Sequence, residues 1–411
     1  MSSKEMESKS VEPGRTRVPG PKLRFPEFLN YPEWIKAELD ALIAVVTPPK
    51  KIPTSEYGAA GPTPIYDQSQ NDVAGWTQDE NARIGANLPL IIFGDHTCAL
   101  KIARVPFAQG ADGIKIFWGS SEVQTEYIFQ YLQHNPVVME EYKRHFSILK
   151  ERTILFPEIA DEQQKVAGCL SSLDELISAE RQKLAALTAH KKGLMQQLFP
   201  AEGETVPRLR FPEFAGRSEW KEVPLSKLGS LVSGLTYRPE DVRDSGLLVL
   251  RSSNINKGEI ILEDCVYVDP QIKGAELVEP NDILICVRNG SKALIGKSAL
   301  IPRGMPQSTH GAFMTVFRSP TPHFVFQLFQ TSRYQKLVAA DLGATINSIN
   351  GAALLKYKFR VPGELEQKKI AYLLSMMDAW IFTQAQRVDS LKKHKYGLMQ
   401  QLFPSLDEVQ A

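Results

Sequence analysis

The 411-residue chain has little of what commits a protein to metal binding, disulfide stapling or membrane insertion. Its four cysteines, Cys98, Cys169, Cys265 and Cys286, are scattered with no CxxC pair or other metal-ligand spacing, which points to reduced thiols in a cytosolic protein rather than to disulfides or zinc. The longest apolar runs, such as Leu88–Phe93 and Leu247–Leu250, fall far short of the ~20 residues a spanning helix needs. Residues 1–21 are polar and rich in Ser, Lys, Glu and Pro, without the apolar stretch of a secretory signal, and read as a disordered, cytoplasmic tail. The chain also lacks an excess of positive charge: its formal net charge is +1. Proteins that hold nucleic acid chiefly through phosphates are usually clearly basic. Composition alone therefore gives nucleic-acid binding no support, although a locally basic face balanced by acidic, partner-binding surfaces is compatible with it.

Catalytic signatures are missing as well. Gly290 to Ser298 resembles a phosphate loop, but five residues separate its glycines where the motif needs four, and Ala299–Pro302 beyond it reads as a strand rather than a helix. Asp95, His96 and Cys98 have no second cluster to complete a metal site or a nucleophile with its base. No glycine-rich cofactor fingerprint or paired-carboxylate nuclease pattern is present. The chain reads as a binder, not an enzyme.

What the sequence does have is an internal repeat. Glu162–Pro200 and Glu366–Pro404 align without a gap and share 20 of 39 positions. A second repeat precedes each half: PKLRFPEF over Pro21–Phe28 and PRLRFPEF over Pro207–Phe214, each followed by a tryptophan, Trp34 and Trp220. The layout is A-X-B-A-Y-B, with X and Y unrelated. The B segments lack internal proline and stop at Pro200 and Pro404. Val166, Leu170, Leu173, Ile177, Leu184, Leu187, Leu194 and Leu198 follow a coiled-coil spacing, and Ile370 to Leu402 repeat it. Both stripes are broken at matching places, by Glu180 and Lys191 and by Gln384 and Lys395. Helices of this length span roughly 55 Å. Two such stripes in one chain predict mutual packing and a pseudo-two-fold axis. Packing alone does not demand that surface residues repeat, so His190, Lys191, Gln196, Gln197, His394, Lys395, Gln400 and Gln401 are expected to be exposed and to form two equivalent partner-binding surfaces.

X, about residues 44–157, and Y, about residues 223–361, show short apolar runs separated by Gly, Asn, Pro and Asp, the pattern of a mixed sheet. Each also has a helix-like stretch, Glu122–Gln133 and His323–Ala340. After Trp34, the run of prolines from Pro48 to Pro53 suggests that the first domain begins less regularly than the second. Base edges are read by side chains that offer paired donors and acceptors. In X these are Gln68, Ser69 and Gln70, with His96, Thr97 and Lys101; in Y they are Arg251, Ser252, Asn254 and Asn256, with Arg288, Asn289, Ser291 and Lys292. All lie in turns after strand-like runs, where function concentrates.

The A-X-B-A-Y-B layout, the LRFPEF and Trp pairs, the junctions Phe156–Lys165 and Val361–Lys369 and the GLMQQLFP helix ends together resemble the specificity subunit of type I restriction-modification systems. The resemblance implies an α+β protein in which two mixed α/β target-recognition domains are separated by two long helices, forming an intramolecular, antiparallel coiled coil. Its blocks would be residues 22–158 and 207–361 for the domains, 159–206 and 362–411 for the helices with their linker and tail. It also implies that each domain reads one half of a bipartite site on double-stranded DNA, and that two methyltransferase subunits and motor-nuclease subunits are the partners. S-adenosylmethionine and ATP with magnesium would belong to those partners and no cofactor to this chain. The competing expectation is a helical scaffold that organises other proteins without touching DNA.

Overall fold

The computed structural model describes residues 15–111, 113–139, 144–342 and 347–405. The chain divides into two units, one of residues up to Arg181 with those from Gln386 onward, the other of Gln182–Ala385. The boundary thus falls inside both long helices, Ala160–Leu198 and Glu364–Leu402, each 39 residues. Each helix contributes to both units: the first half of one packs with the second half of the other.

In unit 1 an antiparallel sheet has the order Ile43–Val46, Ile114–Gly119, Leu90–Gly94, Leu100–Ala103. A second sheet orders Gly75–Thr77, Thr63–Tyr66, Phe107–Gln109 and Arg83–Ile84, with Thr63–Tyr66 parallel to Phe107–Gln109. Unit 2 repeats the first sheet with Ser230–Ser233, Met314–Arg318, Ile283–Cys286 and Ser298–Leu300. Its other four-stranded sheet again contains one parallel pair, Leu247–Leu250 with Ser308–His310. The mixed sheets expected from the run-and-turn pattern are therefore present in both halves.

The two domains also begin alike. Trp34–Glu38 leads through a single turn of 3-10 helix into Ile43–Val46, as Lys221–Pro224 leads through Leu225–Lys227 into Ser230–Ser233. The irregular opening expected for the first domain is absent, since the prolines lie beyond this strand. Within the expected tail, Thr16–Val18 is a strand paired with Trp34–Lys36, held by backbone hydrogen bonds that a polar sequence does not advertise; residues 1–14 of it lie outside the described residues. The helix expected over His323–Ala340 is two, Pro322–Phe329 and Ser332–Asp341, because the Thr331 side chain accepts the Tyr334 amide and starts a new helix.

The A and B repeats meet in each unit. Arg24 forms a two-pronged ion pair with buried Glu162 at 2.7 and 2.8 Å, and Arg210 does the same with Glu366 at 2.8 Å. The Leu23 amide donates to the Gln401 carbonyl, the Leu209 amide to that of Gln197, both at 2.9 Å. Phe403 then enters the core of unit 1 edge-on to Tyr127 and Tyr131, and Phe199 enters that of unit 2 edge-on to Trp220. The GLMQQLFP ends are repeated because each closes a domain core.

Lys191 and Lys395, expected at the surface, point into the helix seam instead. Lys395 Nζ donates to Asp174 at 2.6 Å in unit 1, and Lys191 Nζ to Asp378 at 2.5 Å in unit 2. A glutamine completes each site, Gln130 on Asp174 and Gln327 on Asp378, both at 2.8 Å. These are the breaks in the stripes, and they are polar because each cation meets a carboxylate on the antiparallel partner helix. Burial holds the Lys395 ammonium below its ordinary range even with Asp174 beside it.

Removing one partner of such a pair strands the other charge. Asp174→Ala is expected to destabilise unit 1 by about 2 kcal/mol or more, and Lys395→Met by much less. A double-mutant cycle on urea midpoints measures this, and equal losses for the two variants would contradict it. In unit 2, His310 is fully buried with Nε2 donating to the Val232 carbonyl at 3.0 Å, while Nδ1 has no hydrogen-bond partner among the described residues. Burial pushes its pKa below the ordinary value. The unfolded chain therefore binds this proton more readily, so the contribution is intact above pH ~6.5 and is lost as pH falls below it. His310→Gln keeps the Nε2 donor, and the fall in the unit 2 Tm between about pH 7 and 5 should flatten in that variant; an unchanged slope would contradict the assignment.

Candidate nucleic-acid interface

Both domains put the same two loops side by side. One follows the central parallel strand, Thr63–Tyr66 or Leu247–Leu250; the other closes the hairpin Leu90–Ala103 or Ile283–Leu300. In unit 1 the Thr97 hydroxyl donates to the Gln68 carbonyl at 2.6 Å and Lys101 Nζ to the Asp67 carbonyl at 2.9 Å. In unit 2 Asn289 Nδ2 donates to the Ser252 hydroxyl at 2.9 Å. The residue sets chosen from sequence as separate turns thus converge on one surface in each domain.

Several of those side chains build the loops. The Ser69 amide and hydroxyl both donate to Asp67 Oδ1, closing an Asx turn. Thr97 and Lys101 tie one loop to the other, and burial lowers the Lys101 pKa. Asn254 is fully buried: Oδ1 accepts the Arg251 amide and Nδ2 donates to the Ile261 and Asp264 carbonyls. Both of its amide hydrogens are thus spent within its own loop, and its side chain is closed off from the surface on which a base edge would lie. Gln68 and His96 are partly covered, and Arg251 is engaged by Asp264 at 2.6 Å. Gln70, Asn256, Arg288, Ser291 and Lys292 are exposed, with the Arg288 guanidinium over the Phe313 ring at 5.2 Å. Of the residues expected to meet partner proteins, His190, Gln196, Gln197, His394, Gln400 and Gln401 are exposed.

The loops of unit 2 also border a cleft of 1020 Å³. Asn256, Lys257, Lys292 and Lys297 line one side and Gln330 and Gln335 the other. Lys297 and Gln335 were not chosen from the sequence, and Lys257 lay in a chosen loop without a contact assigned to it. Lys257 could have been given one, since it sits beside Gly258 in a two-residue hairpin turn where both residues have positive φ, 50° and 88°. Gln335 is supplied by the helix Ser332–Asp341, whose approach to the loops no local pattern reveals. Three lysines, Lys257, Lys292 and Lys297, thus line one cleft in a chain whose net charge is near zero. Among the described residues no group of His, Cys, Asp and Glu could hold a metal ion, and no helix is long and apolar enough to cross a membrane.

Two α/β units of one topology, each presenting a pair of loops and each resting on an antiparallel helix pair, define a duplicated two-domain architecture. No protein-family profile matches the chain. It is a relative of type I restriction enzyme specificity subunits: it is 29% identical over 182 residues to that of StySPI from Salmonella potsdam, and 30% identical over 182 residues to that of EcoKI from Escherichia coli K12. Each match covers 42% of this chain, and the chain spans 39% of the length of each of these relatives. The MjaVIII specificity subunit of Methanocaldococcus jannaschii is 26% identical over 255 residues, covering 59% of either chain. The crystal structure of the S subunit from a type I restriction-modification system of M. genitalium shares the fold, with a TM-score of 0.67 at 17% identity, covering 94% of this chain and all of that one. The fold class expected from the repeats, two mixed α/β domains with a long helix pair, is the one observed.

If the cleft lysines face nucleic acid, Lys257→Ala and Lys297→Ala should weaken binding to duplexes of any sequence and each reduce the log–log salt slope by about 1. Asn254→Ala should lower the unit 2 Tm instead and leave that slope alone. Anisotropy titrations at several salt concentrations separate the two; a slope that Asn254→Ala changes and the lysine variants do not would contradict the assignment.

Proposed function

We propose that the chain is the non-catalytic, sequence-specific DNA-binding subunit of a type I restriction-modification complex, each domain reading one half of a bipartite site. The observation that carries this is the recurrence of one fold with unlike loops: framework contacts repeated in both halves hold two different sets of Asn, Gln, Arg and Lys side chains, the chemistry that reads base edges. Likeness to the named specificity subunits supports it. Phosphates are held by lysines such as Lys257 and Lys297, and the exposed Asn256 and Gln70 are suited to adenine edges.

The long helices, each about 58 Å by their rise per residue, set the separation of the half-sites. His190, Gln196, Gln197, His394, Gln400 and Gln401 offer two equivalent surfaces to methyltransferase subunits; Lys191 and Lys395 serve the seam. Adenine methylation with S-adenosylmethionine, and translocation and cleavage with ATP and magnesium, are assigned to methyltransferase and motor-nuclease partners. The reading as a scaffold without DNA contact is disfavoured by the cationic cleft.

Replacing residues 44–157 with the equivalent segment of a relative should change one half of the methylated sequence and leave the other. Inserting one heptad into each helix, after Arg181 and after Ala385, keeps the seam and should widen the gap by about three base pairs. Sequencing of methylated sites in DNA modified by the complex reads both. Changes in both halves, or a constant gap, would contradict the modular reading.

A further inference from the structure

The hairpin loop of unit 2 is longer than its sheet requires. Unit 1 closes the equivalent hairpin between Gly94 and Leu100, whereas unit 2 uses the chain from Cys286 to Ser298. Chain that the framework does not need is retained for what it forms. Here it forms one wall of the 1020 Å³ cleft. Gly296, at φ 84°, is pressed against the opposite helix so closely that a Cβ would meet Val338 Cγ1 at 3.1 Å.

The cleft joins two chemistries. Its floor is Ile295, Phe329, Val338 and Tyr334, whose hydroxyl is buried without a hydrogen-bond partner among the described residues. Its rim carries Lys257 and Lys297, neither paired with a carboxylate among the described residues. An intact duplex presents phosphates and base edges, and has no flat face to lay against such a floor. A nucleotide outside the stack presents both a face and phosphates.

We propose that this cleft binds one unstacked nucleotide, its base against Ile295, Phe329 and Val338 and its phosphates between Lys257 and Lys297. The nucleotide is either extruded from the bound duplex, a source that rests on the DNA-reading function proposed above, or free in solution. Unpairing costs the duplex a few kcal/mol, so a site that takes an extruded base favours DNA already unpaired there.

The test uses the full chain with its methyltransferase partner and the mapped recognition site. Mismatches are placed at successive positions of one half-site, avoiding the methylated adenine, and AMP is titrated separately. Ala339→Trp fills the cleft from an exposed helical position, with Ala293→Trp as a second variant and thermal melts to verify folding. The expected result is one position where a mismatch tightens binding by about tenfold, and in both tryptophan variants the ratio of mismatched to paired affinity at that position falls to one. AMP binding to the wild-type chain that both variants lose, without any mismatch preference, supports the cleft and assigns the free source. Specific binding of paired DNA with no mismatch preference and no AMP binding overturns the cleft proposal alone. Loss of all sequence-specific binding in the wild-type complex overturns the DNA-reading function, and the AMP titration then decides the cleft.

Discussion

Two ion pairs in the helix seam, Asp174 with Lys395 and Asp378 with Lys191, each with its lysine largely covered and its carboxylate partly open to solvent, fix how the long helices meet. An apolar heptad seam tolerates slippage, because one leucine layer resembles the next; a lysine in that seam does not, since every register but one leaves it without its carboxylate. The pairs cross between helices in opposite senses, so they admit only the antiparallel arrangement. Each unit follows from that. The N-terminal part of one helix extends from its own domain, and the C-terminal end of the other brings Phe403 or Phe199 into that domain's core.

Much of this is visible in the sequence. Both helices, their matched breaks and the two domains can be read from the repeats, because periodicity and duplication are local. The purpose of the breaks cannot: Lys191 and Lys395 find their carboxylates 187 and 221 residues away in the chain. A lysine repeated on a helix looks like a surface until its partner is placed. The loops show the same limit. Composition marked segments that the fold brings side by side, but Asn254 satisfies carbonyls at Ile261 and Asp264, so a side chain suited to reading bases is consumed by its own turn. Gln335 went unread because it is brought to the cleft by tertiary packing.

The contrast between framework and loops gives the molecule its functional logic. Arg24 with Glu162 and Arg210 with Glu366 are duplicated nearly atom for atom, whereas the hairpin loops differ in length and charge. A framework that is copied and a surface that is not suit two readers of different sequences. The near-zero net charge is consistent with this, since many cations are spent on carboxylates of the chain itself while Lys257, Lys292 and Lys297 line one cleft beside the loops.

The central claim is that two unlike domains read two unlike half-sites at a distance set by the helices. Mapping methylated adenines across DNA modified by the complex tests it most directly. The account predicts one asymmetric sequence of two specific parts separated by a fixed unspecified gap. A continuous site, or a palindrome with identical halves, would contradict it.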